Sequence, residues 1–291
     1  MLQTDTTRAG QWRDLRERIA AHPDERVDLI AQEAKIIRRD IVTTIDAARA
    51  GHIGGDLSVT DILATLYFGV LHLDPADPRG ADRDRFVLSK GHCAAALYST
   101  LARVGYFSEA ELPTFMKPGS ALNGHPNRNK VPGVETNTGP LGHGLPVAVG
   151  EALGLRLQGS SRRVFVVTGD GELQEGSNWE ALMAAGHFGL QNLTLIVDRN
   201  RLQQGAGTEE TNGLDPLPER LAAFGCEVRD IDGHDIAALF DALSKPGDGR
   251  PVAVIANTTK GKGVSFIEGG VEWHHKVPSA EQVARALEEL A

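Results

Sequence analysis

Between residues 27 and 49 the apolar positions Leu29, Ile30, Ile36, Ile37, Ile41, Val42 and Ile45 recur at helical spacing, with Lys35, Arg38 and Arg39 among them. The pattern predicts a long amphipathic helix that stops near Gly51. A second helix is predicted over 58–70, with Ser58 as N-cap and Asp61 at the third helical position, where a carboxylate complements the helix dipole. A short apolar run at 86–89 leads into a helical pattern at 93–104. The second half alternates more plainly. Short β-rich runs at 164–168, 193–197, 228–231 and 252–256 are separated by helical patterns at 179–188, 218–224 and 236–243, and a last helix is predicted over 280–290.

Strands alternating with helices imply an α/β fold, a three-layer α/β/α arrangement with a mainly parallel sheet covered on both faces. Such sheets bind ligands beyond the carboxyl ends of their strands. No internal repeat and no linker composition interrupts the chain. We therefore expect a single domain over 26–291, with a Gly- and Pro-rich excursion at 105–140, preceded by an N-terminal extension at 1–25.

Composition narrows the function. The 291 residues are 41% hydrophobic and 24% charged, as in an ordinary globular protein. A formal net charge of −9 argues against a nucleic-acid or anionic-membrane surface, so any phosphate must be held locally. The 33 glycines are scattered, which assigns them to tight turns and close backbone approaches. Cys93 and Cys226 lie far apart without metal-ligand spacing, and a reducing cytoplasm is the simple expectation. No apolar segment of signal-peptide or membrane-spanning kind stands out.

The strongest local signal is Gly169-Asp170-Gly171 directly after one predicted strand and Asp198-Arg199-Asn200 directly after the next. If these strands are parallel neighbours, roughly 4.8 Å apart, Asp170 and Asn200 converge on one point. Oxygen ligands in such a pair suit Mg²⁺, which takes its remaining ligands from phosphate and water. The flanking glycines admit phosphate oxygens to backbone N–H groups, and a helix starting near Ser177 points its positive end the same way.

Histidine adds a second signal. Of ten histidines, six directly follow a glycine: His52, His92, His125, His143, His187 and His234. His187 falls inside a predicted helix and reads as packing, and His234 reads as a turn or cap contact. That leaves His52, His92, His125 and His143 as loop imidazoles aimed for proton transfer or anion contact.

Several stretches in order, Gly51-His52-Ile53-Gly54-Gly55, Asp84 through His92, Gly124-His125-Pro126, Thr138-Gly139-Pro140-Leu141-Gly142 and Gly169 through Gly176, resemble the thiamine-diphosphate-binding (PP-type) domain of transketolase. The likeness continues through Asp198–Asn200, residues 258–263 and Trp273-His274. It implies transfer of a two-carbon ketol unit from a ketose to an aldose through a carbanion on thiamine diphosphate, with the protein aiming the cofactor and handling protons. Matched position by position, Asp170, the side chain of Asn200 and the carbonyl of Leu202 look like ligands for Mg²⁺ (or Ca²⁺ or Mn²⁺). Gly169 and Gly171 would approach the diphosphate, His92 and His274 the diphosphate and thiazolium, and Gly139 and Leu141 would lie along the cofactor. His52 and His125 match histidines that bind donor and acceptor hydroxyls and help move protons. Glu175 matches an acidic residue of a subunit-interface network, with a plain helix N-terminal carboxylate as the competing reading.

Three positions depart from the family pattern. His143 stands where many relatives carry Gln and is counted as a site-lining residue. Asp56 either borders the substrate channel or caps the helix near Ser58, and His275 beside His274 leaves open which imidazole faces the cofactor. The matched part of a full-length transketolase is followed by a pyrimidine-binding domain and a third domain, for which 291 residues leave no room. The expectation is an N-terminal subunit completed by a separate C-terminal subunit that carries the pyrimidine-binding domain, as a heterotetramer with two copies of each, acting on sugars or sugar phosphates. The α subunit of a 2-oxo-acid dehydrogenase or decarboxylase, and a non-catalytic binding subunit, are the alternatives.

Overall fold

The computed structural model describes residues 2–291. Strands β1 (Arg85–Leu88), β2 (Val164–Gly169), β3 (Leu193–Arg199), β4 (Glu227–Asp232) and β5 (Val252–Asn257) form one wholly parallel sheet in the spatial order β1-β2-β3-β5-β4. The helices, in chain order, are α1 (Thr6–Ala21), α2 (Arg26–Ala48), α3 (Ile53–Ser58), α4 (Thr60–Thr65), α5 (Ala94–Val104), α6 (Gly144–Leu157), α7 (Gly176–His187), α8 (Thr208–Thr211), α9 (Leu217–Ala223), α10 (Ile236–Ser244) and α11 (Ala280–Glu289).

Successive side chains of a strand point to opposite faces. Phe165 and Val167 therefore enter a core with α2, α4, α5 and α10, while Val164 and Val166 enter a second core with α6, α7 and α9. Because both faces are buried, β2 and β3 read as unbroken apolar runs. The edge strand β4 instead interleaves Glu227, Arg229, Asp230 and Asp232 with its apolar residues, and charge on an open edge discourages further pairing. The register sets Gly169 opposite Asp198, so the turns carrying Asp170 and Asn200 leave the sheet side by side.

Three local expectations change. The helix predicted at 58–70 starts earlier and is broken: α3 ends at Ser58, α4 follows, and Leu66–Val70 form a π-turn. Ser58 is therefore not an N-cap; its hydroxyl donates to Asp198 Oδ2 at 2.6 Å. Gly54 and Gly55 let α3 pack closely against its surroundings, where a Cβ on Gly55 would lie 2.8 Å from Cys93 Sγ. Asp56 caps α5, accepting from the Ala96 N–H at 2.8 Å, rather than the helix near Ser58.

Besides the single turn of α8, two helices escaped the pattern altogether. α1 buries only Ala9, Trp12 and Ile19 among charged neighbours, too few to mark a period, yet Trp12 Nε1 donates to the Tyr67 carbonyl at 3.2 Å and docks the segment on the main core. α6 carries buried Leu145, Ala148, Val149, Ala152 and Leu155 but also exposed Val147 and Leu157, so no polar stripe contrasts with its apolar one.

The packing of α7 depends on Gly186, whose added Cβ would lie 2.1 Å from the Phe224 carbonyl oxygen. Gly186→Ala is expected to destabilise the fold by about 1–3 kcal/mol. Gly150→Ala, on an open face of α6, should instead be neutral or stabilising by up to ~1 kcal/mol. Urea midpoints that fall equally in both variants contradict this packing account.

Candidate active site

The cleft forms where the loops after β1, β2, β3 and β5 meet α3. Asp198, the penultimate position of β3, is fully buried and gathers them. Its Oδ2 accepts from Lys90 Nζ at 2.5 Å and from Ser58, and its Oδ1 accepts from the Thr258 hydroxyl. Burial alone pulls an ammonium group toward neutrality, but the Asp198 carboxylate outweighs it and holds the Lys90 pKa above the usual lysine range. Glu172 clamps a second set of loops: its carboxylate accepts from the Ser89 hydroxyl, from Gly142 N at 3.0 Å and from Gly169 N at 3.1 Å.

Above these clamps lies a cavity of about 400 Å³. One wall is Asp170, whose Oδ1 accepts from Gly171 N at 2.8 Å and whose Oδ2 accepts from Arg201 N at 2.7 Å and from Thr208 Oγ1 at 3.2 Å. Burial raises the pKa of this carboxyl. Arg199 lies 3.3 Å from Asp170 and is itself held by Glu209 at 2.7 Å and Asp215 at 2.9 Å. Asn200 and Leu202 line the same wall, with the Asn200 Oδ1 accepting from Leu202 N at 3.1 Å. A carboxylate, a carboxamide oxygen and a peptide carbonyl at one rim form a hard, all-oxygen donor set of the kind Mg²⁺ prefers. Gly171 packs closely against Gln203, whose side chain an added Cβ would displace from 2.8 Å, and Gly139 sits at φ +151°, a conformation that favours glycine.

A cluster of imidazoles lines the same cleft. The rings of His52 and His92 lie 5.1 Å apart, His52 and His274 5.4 Å, and His92 and His274 5.7 Å, and His125 joins them in lining the cleft. Burial, reinforced by the neighbouring His275, lowers His52 to about 4. Burial and Lys260 lower His274 to about 3, and burial and Lys90 hold His92 well below the ordinary histidine range. These rings are therefore neutral near pH 7. Lys260 Nζ lies 3.0 Å from His274 Nδ1 and 3.5 Å from the Leu202 carbonyl, and burial together with Lys90 lowers it to about 8. An ammonium group only donates, so Nδ1 of His274 accepts and its ring proton sits on Nε2.

The structure thus brings His52, His92, His125, His274, Gly139, Leu141, Gly169, Asp170, Gly171, Asn200 and Leu202 to one cleft. It does not bring in His143, which is exposed with Nδ1 against the Leu141 carbonyl at 3.1 Å and is not a lining residue. Glu175 is exposed at the N-terminus of α7, outside the cleft lining. Of the adjacent pair, His274 is the deeper and the one on Lys260. His275 is exposed at the mouth, 4.5 Å from the His52 ring, where a second cavity of about 320 Å³ opens beside Arg49, Phe115 and Met116. Sequence reasoning missed Lys90, Glu172, Asp198 and Lys260. Lys90 and Lys260 stood inside the motif stretches, but only the fold shows that both are buried and aimed at one cleft.

Comparison with known proteins accords with this geometry. Residues 30–291 match the family described as transketolase, thiamine diphosphate binding domain. An apulose-4-phosphate transketolase subunit of Actinobacillus succinogenes is 51% identical over 265 residues, which cover 90% of this chain and 96% of that protein. A 6-deoxy-6-sulfo-D-fructose transketolase subunit of a Clostridium species is 39% identical, covering 92% of this chain and 98% of that protein. The crystal structure of transketolase from Campylobacter jejuni superposes with a TM-score of 0.83 at 33% identity, covering 90% of this chain but only 42% of that longer one. Among the described residues no helix is long and apolar enough to cross a membrane.

Neutral imidazoles have a consequence for stability. The folded-state value of about 4 for His52 lies below its ordinary 6.5, so the unfolded chain binds the extra proton between those values, and stability is lost as pH falls through that window. His52→Gln should therefore shrink the drop in urea midpoint between pH 7 and pH 5. Equal drops in variant and wild type contradict the assignment of a buried neutral His52.

Proposed function

The chain belongs to the transketolase family through its thiamine-diphosphate-binding domain, and on that premise we propose that it is the N-terminal subunit of a two-subunit transketolase that moves a two-carbon ketol unit from a ketose to an aldose. The observation that carries this reading is the cleft itself. Neutral imidazoles of His52, His92 and His274 line the same cavity of about 400 Å³ as the oxygen donors of Asp170, Asn200 and Leu202. The rim fits a divalent metal, and the close-packed glycines with Lys90 and Lys260 fit a diphosphate in a chain whose net charge is −9.

Asp170, the Asn200 side chain and the Leu202 carbonyl would hold Mg²⁺, with Gly169 and Gly171 against the diphosphate and Gly139 and Leu141 along the cofactor. When bound, thiamine diphosphate supplies the nucleophilic carbon and the electron sink for the transferred unit. The protein's share is positioning and proton handling. We assign His92, with His274, to the diphosphate and thiazolium of the cofactor. His52 is neutral near pH 7 and so can accept a hydrogen bond from a substrate hydroxyl and help move its proton, and we assign His125 to a hydroxyl of the second substrate. His274 offers its Nε2–H as a donor into the cleft, fixed in that tautomer by Lys260.

The relatives from Actinobacillus succinogenes and the Clostridium species are each named as one subunit of a transketolase, which supports a separate partner for this chain. We assign to that partner the pyrimidine-binding domain and to the assembly two copies of each chain, with Glu175 at the interface between sites. Because one relative is named for apulose-4-phosphate, a phosphorylated ketose is the first donor to test. The two buried, unpaired cysteines, Cys93 and Cys226, support a cytoplasmic location. The 2-oxo-acid dehydrogenase reading leaves His52 and His125 without a task, and no observation favours it.

Mixed with a pyrimidine-domain partner, Mg²⁺ and thiamine diphosphate, the chain is expected to catalyse ketol transfer, followed by coupled detection of the aldose product. His52→Ala and His125→Ala should each lower kcat by roughly 10²–10⁴-fold while cofactor still binds. Asp170→Ala should abolish the Mg²⁺ dependence of cofactor affinity in a calorimetric titration. Decarboxylation of 2-oxo acids without ketol transfer overturns the reading, and unchanged Mg²⁺-dependent affinity in Asp170→Ala overturns the ligand assignment.

A further inference from the structure

Lys260 reaches the cleft from the loop after β5, and that loop is gripped from outside the cleft by a buried polar group. Asp61 on α4 accepts from Arg38 Nη1 at 2.9 Å and Nη2 at 2.6 Å, and its Oδ2 lies 2.7 Å from His234 Nδ1. The other ring nitrogen of His234, Nε2, accepts the Thr259 N–H at 2.8 Å. A peptide N–H only donates, so Nε2 carries no proton and Nδ1–H is donated to Asp61. Arg38 closes the arrangement with its Nε, which donates to the Lys262 carbonyl at 3.1 Å. The two ends of one segment, Thr259 and Lys262, are thus tied to the same buried carboxylate, and Lys260 lies between them.

The rest of the loop has little freedom. Gly261 sits at φ +83°, where a Cβ would meet the Ile267 carbonyl oxygen at 2.7 Å, and its N–H donates to the Gly54 carbonyl at 2.8 Å. Arg38 and Asp61 are 8% and 5% exposed, so breaking this network leaves an uncompensated charge inside the fold. An isolated turn would not need a buried ion pair to hold it, whereas a lysine that must face a cleft at fixed height does.

We propose that Arg38, Asp61 and His234 form a strut that sets the position of Lys260, and through it His274, toward a diphosphate in the cleft. His234 is a positioning residue; it touches neither cavity. The proposal rests on reading the cleft as a diphosphate site. It assigns a task to the Gly-His pair at 233–234 beyond a local turn contact, and it predicts that cofactor affinity depends on a histidine outside the cleft.

The test uses the full chain together with its partner, and combines amide hydrogen exchange with thiamine diphosphate titration at fixed Mg²⁺. In His234→Ala, exchange at residues 259–263 should rise at least tenfold and the cofactor Kd about tenfold. His234→Gln, which keeps one donor and one acceptor, should restore both. In a Lys260→Ala background His234→Ala should weaken cofactor binding no further, because it acts through Lys260. If His234→Ala does not fold, Arg38→Lys, which drops the bond to the Lys262 carbonyl but keeps a cation beside Asp61, should give the same local rise in exchange. Faster exchange with unchanged Kd, or an additive loss in the Lys260→Ala background, overturns the strut. A wild-type assembly that binds no thiamine diphosphate overturns the reading of the cleft, whatever the exchange shows.

Discussion

The arrangement depends on a buried carboxylate. Asp198 is fully buried at the carboxyl end of β3, and Lys90, Ser58 and Thr258 all donate to it. These donors come from the loop after β1, from α3 and from the loop after β5, so one side chain fixes the relative positions of segments that are far apart in sequence. A buried charge is tolerated only when it is paired and its lone pairs are satisfied. Removing any donor costs more than one hydrogen bond, because it unsettles the pairing of the rest.

The same device recurs at two other places. Glu172 ties Ser89 to the backbone of Gly142 and Gly169, and Asp61 ties Arg38 to His234. None of these three acids belongs to the oxygen-donor rim. They hold the loops so that Asp170, Asn200, Leu202 and the imidazoles line one cleft. Loops at the end of a parallel sheet are mobile by default, and buried carboxylate clamps are how this chain presents oxygen-bearing groups and half-buried histidines at set distances.

Much of this was legible in the chain. The runs of β2, β3 and β5 stood out because a sheet buried on both faces needs near-continuous apolar segments, and the turns carrying Asp170 and Asn200 followed from where the first two stop. The Gly-His pairs at His52, His92 and His125 marked imidazoles that do reach the cleft, whereas His143 turned outward onto its own loop. What stayed hidden is tertiary. α6 lacks a polar stripe, α1 buries too few residues to show a period, and Ser58 looks like an N-cap until Asp198 is seen beside it. Lys90 and Lys260 read as surface charges in any one-dimensional account, because only packing reveals that both are buried against partners.

We read the cleft as the seat of a metal diphosphate beside a cluster of neutral imidazoles. A crystal structure of the assembly grown with Mn²⁺ and thiamine diphosphate tests it directly through the anomalous signal of the metal. A single peak is expected about 2.0–2.3 Å from oxygens of Asp170, Asn200 and Leu202, with the remaining ligands from diphosphate and water. A peak among His52, His274 and His275 instead, or cofactor density away from Gly139 and Gly171, contradicts it.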